Sequence, residues 1–174
     1  LAPFRLFYFE DPVAPQSVDA LEYVAHHVDI PIVTGERCYN TYQYKELIDS
    51  KTVSMVRPDL SLAGGYTQCK KIAALAEASF VGVFPHLMGS PVNIAAFTQF
   101  GASIPNYVLQ ESNNVDEHPL NEIIDQSLTL DKGYVVVPDG PGIGIEIRED
   151  VLANFPYQPR TIKGSFRADG SVAH

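Results

Sequence analysis

The chain has 174 residues, enough for one ordinary domain with a buried core. Hydrophobic residues make up 45% and charged residues 19%, the profile of a soluble globular protein. A net charge of -9 argues against a nucleic-acid partner, which needs a basic surface, and no apolar run approaches the roughly 20 residues of a membrane span. An acidic substrate is still allowed, because a bound metal ion can supply local positive charge.

Leu1 to Phe9 lacks the charged start, apolar middle and small-residue cleavage site of a signal peptide. Cys38 and Cys69 sit in no metal-like spacing and read as two reduced thiols, so a cytoplasmic location is expected.

Five short apolar runs each end in one ionisable residue. They are Leu6 to Phe9 before Glu10, Pro31 to Val33 before Glu36, Val53 to Val56 before Asp59, Val81 to Phe84 before His86, and Tyr107 to Leu109 before Glu111. The runs are rich in Val, Ile, Phe and Tyr without polar alternation, as in strands of a parallel sheet covered on both faces. Between them lie helical patterns. Val18, Leu21, Val24, Ala25 and Val28 share a face behind a candidate N-cap, Ser17. Tyr44, Leu47 and Ile48 form the second pattern. Ile72, Leu75, Ala76 and Ser79 form the third, after the Gly64-Gly65 turn. Val92, Ala95, Ala96 and Gln99 form the fourth, after Pro91.

Strand and helix alternating about every 25 residues is a run of βαβ units. An open doubly wound sheet gathers its functional groups at one switch point, whereas a barrel distributes them over many strand ends. A reactive group ends every run here, so the barrel is favoured. A complete barrel has eight strands in about 250 residues, and the missing strands are expected to precede Leu1.

After Glu111 the repeat stops. A helix is expected over Glu117 to Gln126. Strands are expected over Tyr134 to Val137 and Ile143 to Ile147, joined by the turn Asp139-Gly140-Pro141-Gly142. Gly140, Gly142 and Gly144 do not make a nucleotide loop, because Ile145 stands where the last glycine of that spacing belongs and no helix follows. The Pro-, Arg- and Gly-rich tail from Phe155 is expected to wrap the surface. The domain division expected is 1–116, the C-terminal half of a (β/α) barrel, and 117–174, a C-terminal extension.

Glu10 and Glu36 end successive strands, so their carboxylates repel unless something positive lies between them. Mg²⁺, which takes hard oxygen ligands, is one candidate; an arginine paired with each glutamate is the plainer alternative. Asp59 and His86 also end successive strands. A carboxylate accepting from one imidazole nitrogen fixes the tautomer and raises the basicity of the other, which makes His86 a candidate general base. Glu111 is either a protonated hydrogen-bonding group near developing negative charge or a salt-bridged rim residue. Arg37 is either a substrate contact or a partner for Glu10.

These residues also carry a resemblance. Phe9-Glu10-Asp11-Pro12, Thr34-Gly35-Glu36-Arg37, Arg57-Pro58-Asp59 with Ala63-Gly64-Gly65, Pro85-His86 and Gln110-Glu111 resemble the barrel motifs of the mandelate racemase subgroup of the enolase superfamily. Pro138-Asp139-Gly140-Pro141-Gly142-Ile143-Gly144 and Asp169-Gly170-Ser171-Val172 resemble its tail. The wording around Glu36 and Glu111 is closer to the acid-sugar dehydratases, such as galactonate dehydratase, than to mandelate racemase.

The resemblance implies an α/β fold. It is the C-terminal portion of a (β/α)7β TIM-type barrel with five βα strands, followed by a segment that packs on a capping domain lying outside this chain. It implies Mg²⁺ held by three acidic residues, of which Glu10 and Glu36 match the second and third. It implies a His86–Asp59 base pair, Glu111 as a further catalytic group, and Arg37, His86 and Glu111 against the substrate. The chemistry implied is removal of a proton alpha to a carboxylate through a metal-stabilised enediolate, then loss of water. The expected partner is a small carboxylate, an acid sugar, and the full-length enzyme is expected to be a homo-oligomer. Racemisation or epimerisation of a 2-hydroxy acid is the alternative enzymatic outcome, and a non-catalytic barrel fragment is the alternative of another class.

Overall fold

The structure is a computed structural model that describes residues 1–112, 115, 120–159, 167–169 and 171. Four strands form one parallel sheet in chain order: β1 (Phe9–Glu10), β2 (Ile32–Thr34), β3 (Met55–Val56) and β4 (Gly82–Val83). The register is Phe9 to Ile32, Val33 to Met55 and Met55 to Gly82. The fifth run joins by a single parallel bridge, Tyr107 to Val83. Val83 N–H donates to Asn106 O at 2.8 Å, and Val108 N–H donates to Val83 O at 2.9 Å. Gly82 allows that approach: a Cβ there would stand 2.6 Å from Val108 Cγ2.

The helices fill the intervals as the periodicity predicts. They are α1 (Val18–Ala25), α2 (Thr41–Asp49), α3 (Gly65–Ala78) and α4 (Pro91–Ala102). Ser17 caps α1 by accepting from Ala20 N–H at 3.1 Å. Asn40 caps α2 by accepting from Tyr42 and Gln43 N–H. Ser90 and Asn93 form a capping box on α4, with Pro91 in its first turn.

Neighbouring residues on each strand point to opposite faces. Ile32, Val56 and Val83 join the main core with Leu21, Tyr44, Leu47, Ile72, Ile94 and Phe97 from all four helices. Val33, Met55 and Phe84 pack on the other face with Tyr8, and among the described residues no helical residue joins them. Helices on one face only are the mark of a barrel segment, because a doubly wound sheet carries them on both.

The region after Glu111 departs from expectation. The helix expected over Glu117 to Gln126 is absent in its described part, and Glu117 to Pro119 lie outside the described residues. Only a 3₁₀ turn, Asn121–Ile123, is present. Ile124 is extended and bridges Ile147. Asp125 N–H donates to Glu146 O at 3.0 Å, and the Asp125 carboxylate accepts Glu146 N–H at 2.8 Å. Pairing with the later segment therefore wins over local helix formation. The expected hairpin between Tyr134–Val137 and Ile143–Ile147 is also absent. Instead β6 (Tyr134–Val135) pairs antiparallel with β5 (Leu130–Asp131) across Lys132-Gly133, both at positive φ, the turn that matches strand twist. A last short helix, α5 (Glu149–Leu152), follows. The tail from Phe155 is described only to Gln158-Pro159 and at 167–169 and 171. No helix among the described residues is long and apolar enough to cross a membrane.

The end of helix α3 is strained. Helix α3 ends in a Schellman motif: Val81 N–H donates to Ala76 O at 2.8 Å and Phe80 N–H donates to Glu77 O at 3.0 Å. The left-handed position of that motif, usually glycine, holds Phe80 at φ 58, with its side chain 100% exposed. Left-handed geometry costs an L-residue about 1–2 kcal/mol, and no packing offsets it here. Phe80→Gly is therefore expected to stabilise the fold by up to about 1 kcal/mol. The check is thermal or denaturant unfolding, and a lowered midpoint would contradict this account.

Candidate active site at the strand ends

The sequence-derived residues meet at the C-terminal ends of the strands through two linked clusters. In the first, His86 Nδ1 lies 2.8 Å from Asp59 Oδ2. Asp59 is buried, and its other oxygen accepts Ser61 N–H at 2.6 Å, so the carboxylate is held from both sides. Nε2 of His86 lies 3.6 Å from Glu36 Oε2, an ion-pair distance rather than a hydrogen bond. In the second cluster, Glu10 Oε1 lies 3.0 Å from Arg57 Nε, and Glu111 Oε2 lies 2.6 Å from Arg57 Nη2. Leu87 N–H also donates to Glu111 Oε2 at 3.0 Å.

Burial pushes the Glu10 carboxyl above its ordinary pKa. The Arg57 guanidinium opposes this, and the charges of Glu36, Asp11 and Glu111 add to the rise. The two clusters thus share one electrostatic environment. Among the described residues, no three metal-type side chains converge on one point. None of these strand-end side chains lines the concavity formed by residues 126–145, and the one formed by Thr98, Tyr107 and Val135 reaches this end only at Gln110 and Ser112, which flank Glu111.

Local structure sets these positions. Tyr8, Met55 and Phe84 face the inner side of the sheet. Two residues beyond each come Glu10, Arg57 and His86, and Asp59 lies two further along from Arg57, so alternation carries all four toward the interior mouth. Glu36 breaks that parity, since Val33 is the inner residue of β2. Gly35 at φ 128 turns the chain there. A Cβ on Gly35 would meet Tyr44 Cε1 at 2.9 Å and Arg57 N at 3.2 Å. The buried Tyr44 hydroxyl donates to Gly35 O at 2.6 Å and stands 3.2 Å from Arg57 O, tying the ends of β2 and β3 together.

Three residues escape the sequence reading. Arg57 is the partner of both Glu10 and Glu111, so the plainer, salt-bridged reading of Glu111 matches the geometry. Asp11 accepts from Arg37 Nη2 at 2.9 Å and from Thr34 Oγ1 at 2.5 Å, so Arg37 pairs with Asp11 and not with Glu10. Tyr44 reads from sequence as a core residue only. A signal for Arg57 is present: it falls in step with Met55 and Asp59 at the end of an apolar run, where a charge must face the barrel mouth.

Residues 1–151 match the enolase C-terminal domain-like family. The chain belongs to that family. It is similar to the D-galactonate dehydratase family member RspA of Pantoea ananatis, 37% identical over 160 residues, which are 91% of this chain and 38% of that protein. It is also similar to a D-galactonate dehydratase of Ralstonia pickettii, 35% identical over 181 residues, covering 99% of this chain and 47% of that one. Among solved structures, an enolase from Agrobacterium radiobacter with bound Na and L-malate, described as a candidate galactarate dehydratase, superposes with a TM-score of 0.88 at 26% identity, over 98% of this chain and 47% of its own. The chain spans less than half the length of these relatives. For an enolase C-terminal domain, five successive strand ends with reactive groups are the barrel half that this structure contains.

Removing the Tyr44 hydroxyl tests the tie between β2 and β3. Tyr44→Phe leaves the ring in the core but deletes a buried donor, at an expected cost of about 1–2 kcal/mol. Equilibrium denaturation measures it, and a change within error would mean that the hydroxyl does not hold Gly35.

Proposed function

We propose that the complete protein of which this chain is a portion is an acid-sugar dehydratase. It removes the proton alpha to the substrate carboxylate and eliminates water. The single observation that carries this is the Asp59–His86 bond at 2.8 Å, with the far imidazole nitrogen turned toward Glu36 at the mouth. Relatives named D-galactonate dehydratase favour dehydration over racemisation.

The bond to Asp59 assigns the imidazole proton to Nδ1 and leaves the Nε2 lone pair to take a proton from substrate. Asp59 is buried and doubly held, so its charge supports the imidazolium that results. The same His86 can return a proton to the departing hydroxyl. Arg37 and Glu111 would contact the substrate's polar groups.

Glu10 and Glu36 would hold Mg²⁺. The donor set fits: both are hard oxygen ligands, they end adjacent strands, and Glu36 is among the charges that raise the Glu10 carboxyl. Glu10 and Glu36 would supply two of the three acidic ligands that the resemblance implies, with the first outside this chain and water and substrate oxygens completing the shell. When bound, the ion supplies positive charge against the substrate carboxylate as its alpha proton leaves. The reading also divides the chain into barrel residues 1–116 and an extension, 117–174, and carries a cytoplasmic, homo-oligomeric enzyme.

The test uses the full-length protein. His86→Asn is expected to lower turnover across an acid-sugar panel by roughly 10²–10⁴-fold, and Asp59→Asn to lower it as well, with Mg²⁺ affinity retained in both. Near-normal turnover of His86→Asn would place the base elsewhere. Glu36→Gln should weaken Mg²⁺ binding in calorimetric titration with little loss of fold; unchanged affinity would remove Glu36 from the ligand set.

A further inference from the structure

We propose that Arg57 is a positioning residue that fixes one oxygen of Glu10 and one of Glu111, leaving the other oxygen of each available to the site. This rests on the reading above that Glu10 holds the cation and Glu111 meets the substrate. The side chain of Arg57 is only 2% exposed. Its guanidinium carbon lies 4.3 Å from the centroid of the Phe84 ring, so the fork sits over an aromatic face. From there Nε meets Glu10 Oε1 and Nη2 meets Glu111 Oε2. Glu10 Oε2 and Glu111 Oε1 have no partner among the described residues.

The arrangement is a poor stabilising device. Nη1 is buried without a partner among the described residues, and Nε contacts Glu10 without hydrogen-bond alignment. A buried cation with orphaned donors is often matched or bettered in stability by an apolar side chain of similar size. Its geometry has a use instead: one rigid fork spans two carboxylates from different strands. A lysine at this site keeps the charge but is a single point donor and cannot span both.

The experiment compares full-length wild type, Arg57→Lys and Phe84→Leu, each well below its melting midpoint. Mg²⁺ affinity is read by calorimetry, and kcat and KM on a responsive acid sugar are measured separately. Arg57→Lys conserves charge, so it should fold while losing about 10–100-fold in Mg²⁺ affinity or kcat, the range for groups that orient metal ligands. Phe84→Leu, which removes the platform but neither charge, should lose Mg²⁺ affinity in the same direction by a smaller factor. Wild-type affinity and kcat in folded Arg57→Lys would overturn the inference and leave the proposed function intact. If Arg57→Lys does not fold, Phe84→Leu decides, and unchanged Mg²⁺ affinity there overturns the inference. Absence of Mg²⁺ binding by the wild type would overturn both readings.

Discussion

A parallel strand covered on both faces must divide its side chains between two kinds of neighbour, and that division organises this chain. Ile32, Val56 and Val83 take the helix-facing side, while Val33, Met55 and Phe84 take the inner side. The inner series cannot continue as apolar residues past the last ladder bond, because the strand there runs out into the open mouth. In three of the four strands the next residue in step is ionisable, Glu10 after Tyr8, Arg57 after Met55 and His86 after Phe84, and in β2 it is Gly35. Apolar packing along the strand therefore aims the ionisable residue at its end.

The barrel half was legible because this period is short and every repeat obeys it. Apolar run, ionisable residue and amphipathic helix recur four times, and the helix starts carry their own caps in Ser17, Asn40 and Ser90. The segment after Glu111 was not legible in the same way. Glu117 to Gln126 has helix-forming composition, but Ile124 to Gln126 satisfies its polar groups on 144–147, and a contact some 20 residues away leaves no local trace. The hairpin was missed for a related reason. Lys132-Gly133 is a two-residue turn without the Asn-Gly or Asp-Gly signature, and the glycine-rich 139–144 stretch drew the assignment instead.

The strand-end positions were legible, and the wiring between them was not. Glu10, Glu36, Asp59, His86 and Glu111 stand out as strand-end groups, and adjacency of strands suggests that Asp59 meets His86. Which arginine neutralises which carboxylate depends on side-chain reach, and sequence position gives little guide to it. Arg37 lies beside Glu36 in sequence yet pairs with Asp11 across β1 and β2, while Arg57 crosses to Glu10 and Glu111. Gly35 belongs to the same lesson. Its left-handed turn moves Glu36 off the parity of β2, and the space it needs is closed by the ring of Tyr44.

The pairing pattern has an electrostatic consequence. Five carboxylates gather at this end of the sheet: Glu10, Asp11, Glu36, Asp59 and Glu111. Arg57 is shared between Glu10 and Glu111, and Arg37 is taken by Asp11. His86 is bonded to Asp59 through one nitrogen and reaches Glu36 with the other only at 3.6 Å. Among the described residues Asp59 and Glu36 are the two of the five with no arginine or lysine partner; Asp59 is bonded to His86 and Ser61 N–H, and Glu36 has only the 3.6 Å contact. Glu36 is also the one whose backbone is held by a specific turn and a buried tyrosine. A divalent cation gains most where carboxylate charge is least compensated and where its ligands need not reorganise to receive it. Under the proposed function, both conditions would favour a cation between Glu36 and the neighbouring strand end at Glu10. Glu10, already facing Arg57 through one oxygen, would then offer its second oxygen without bringing an unopposed charge into the pocket.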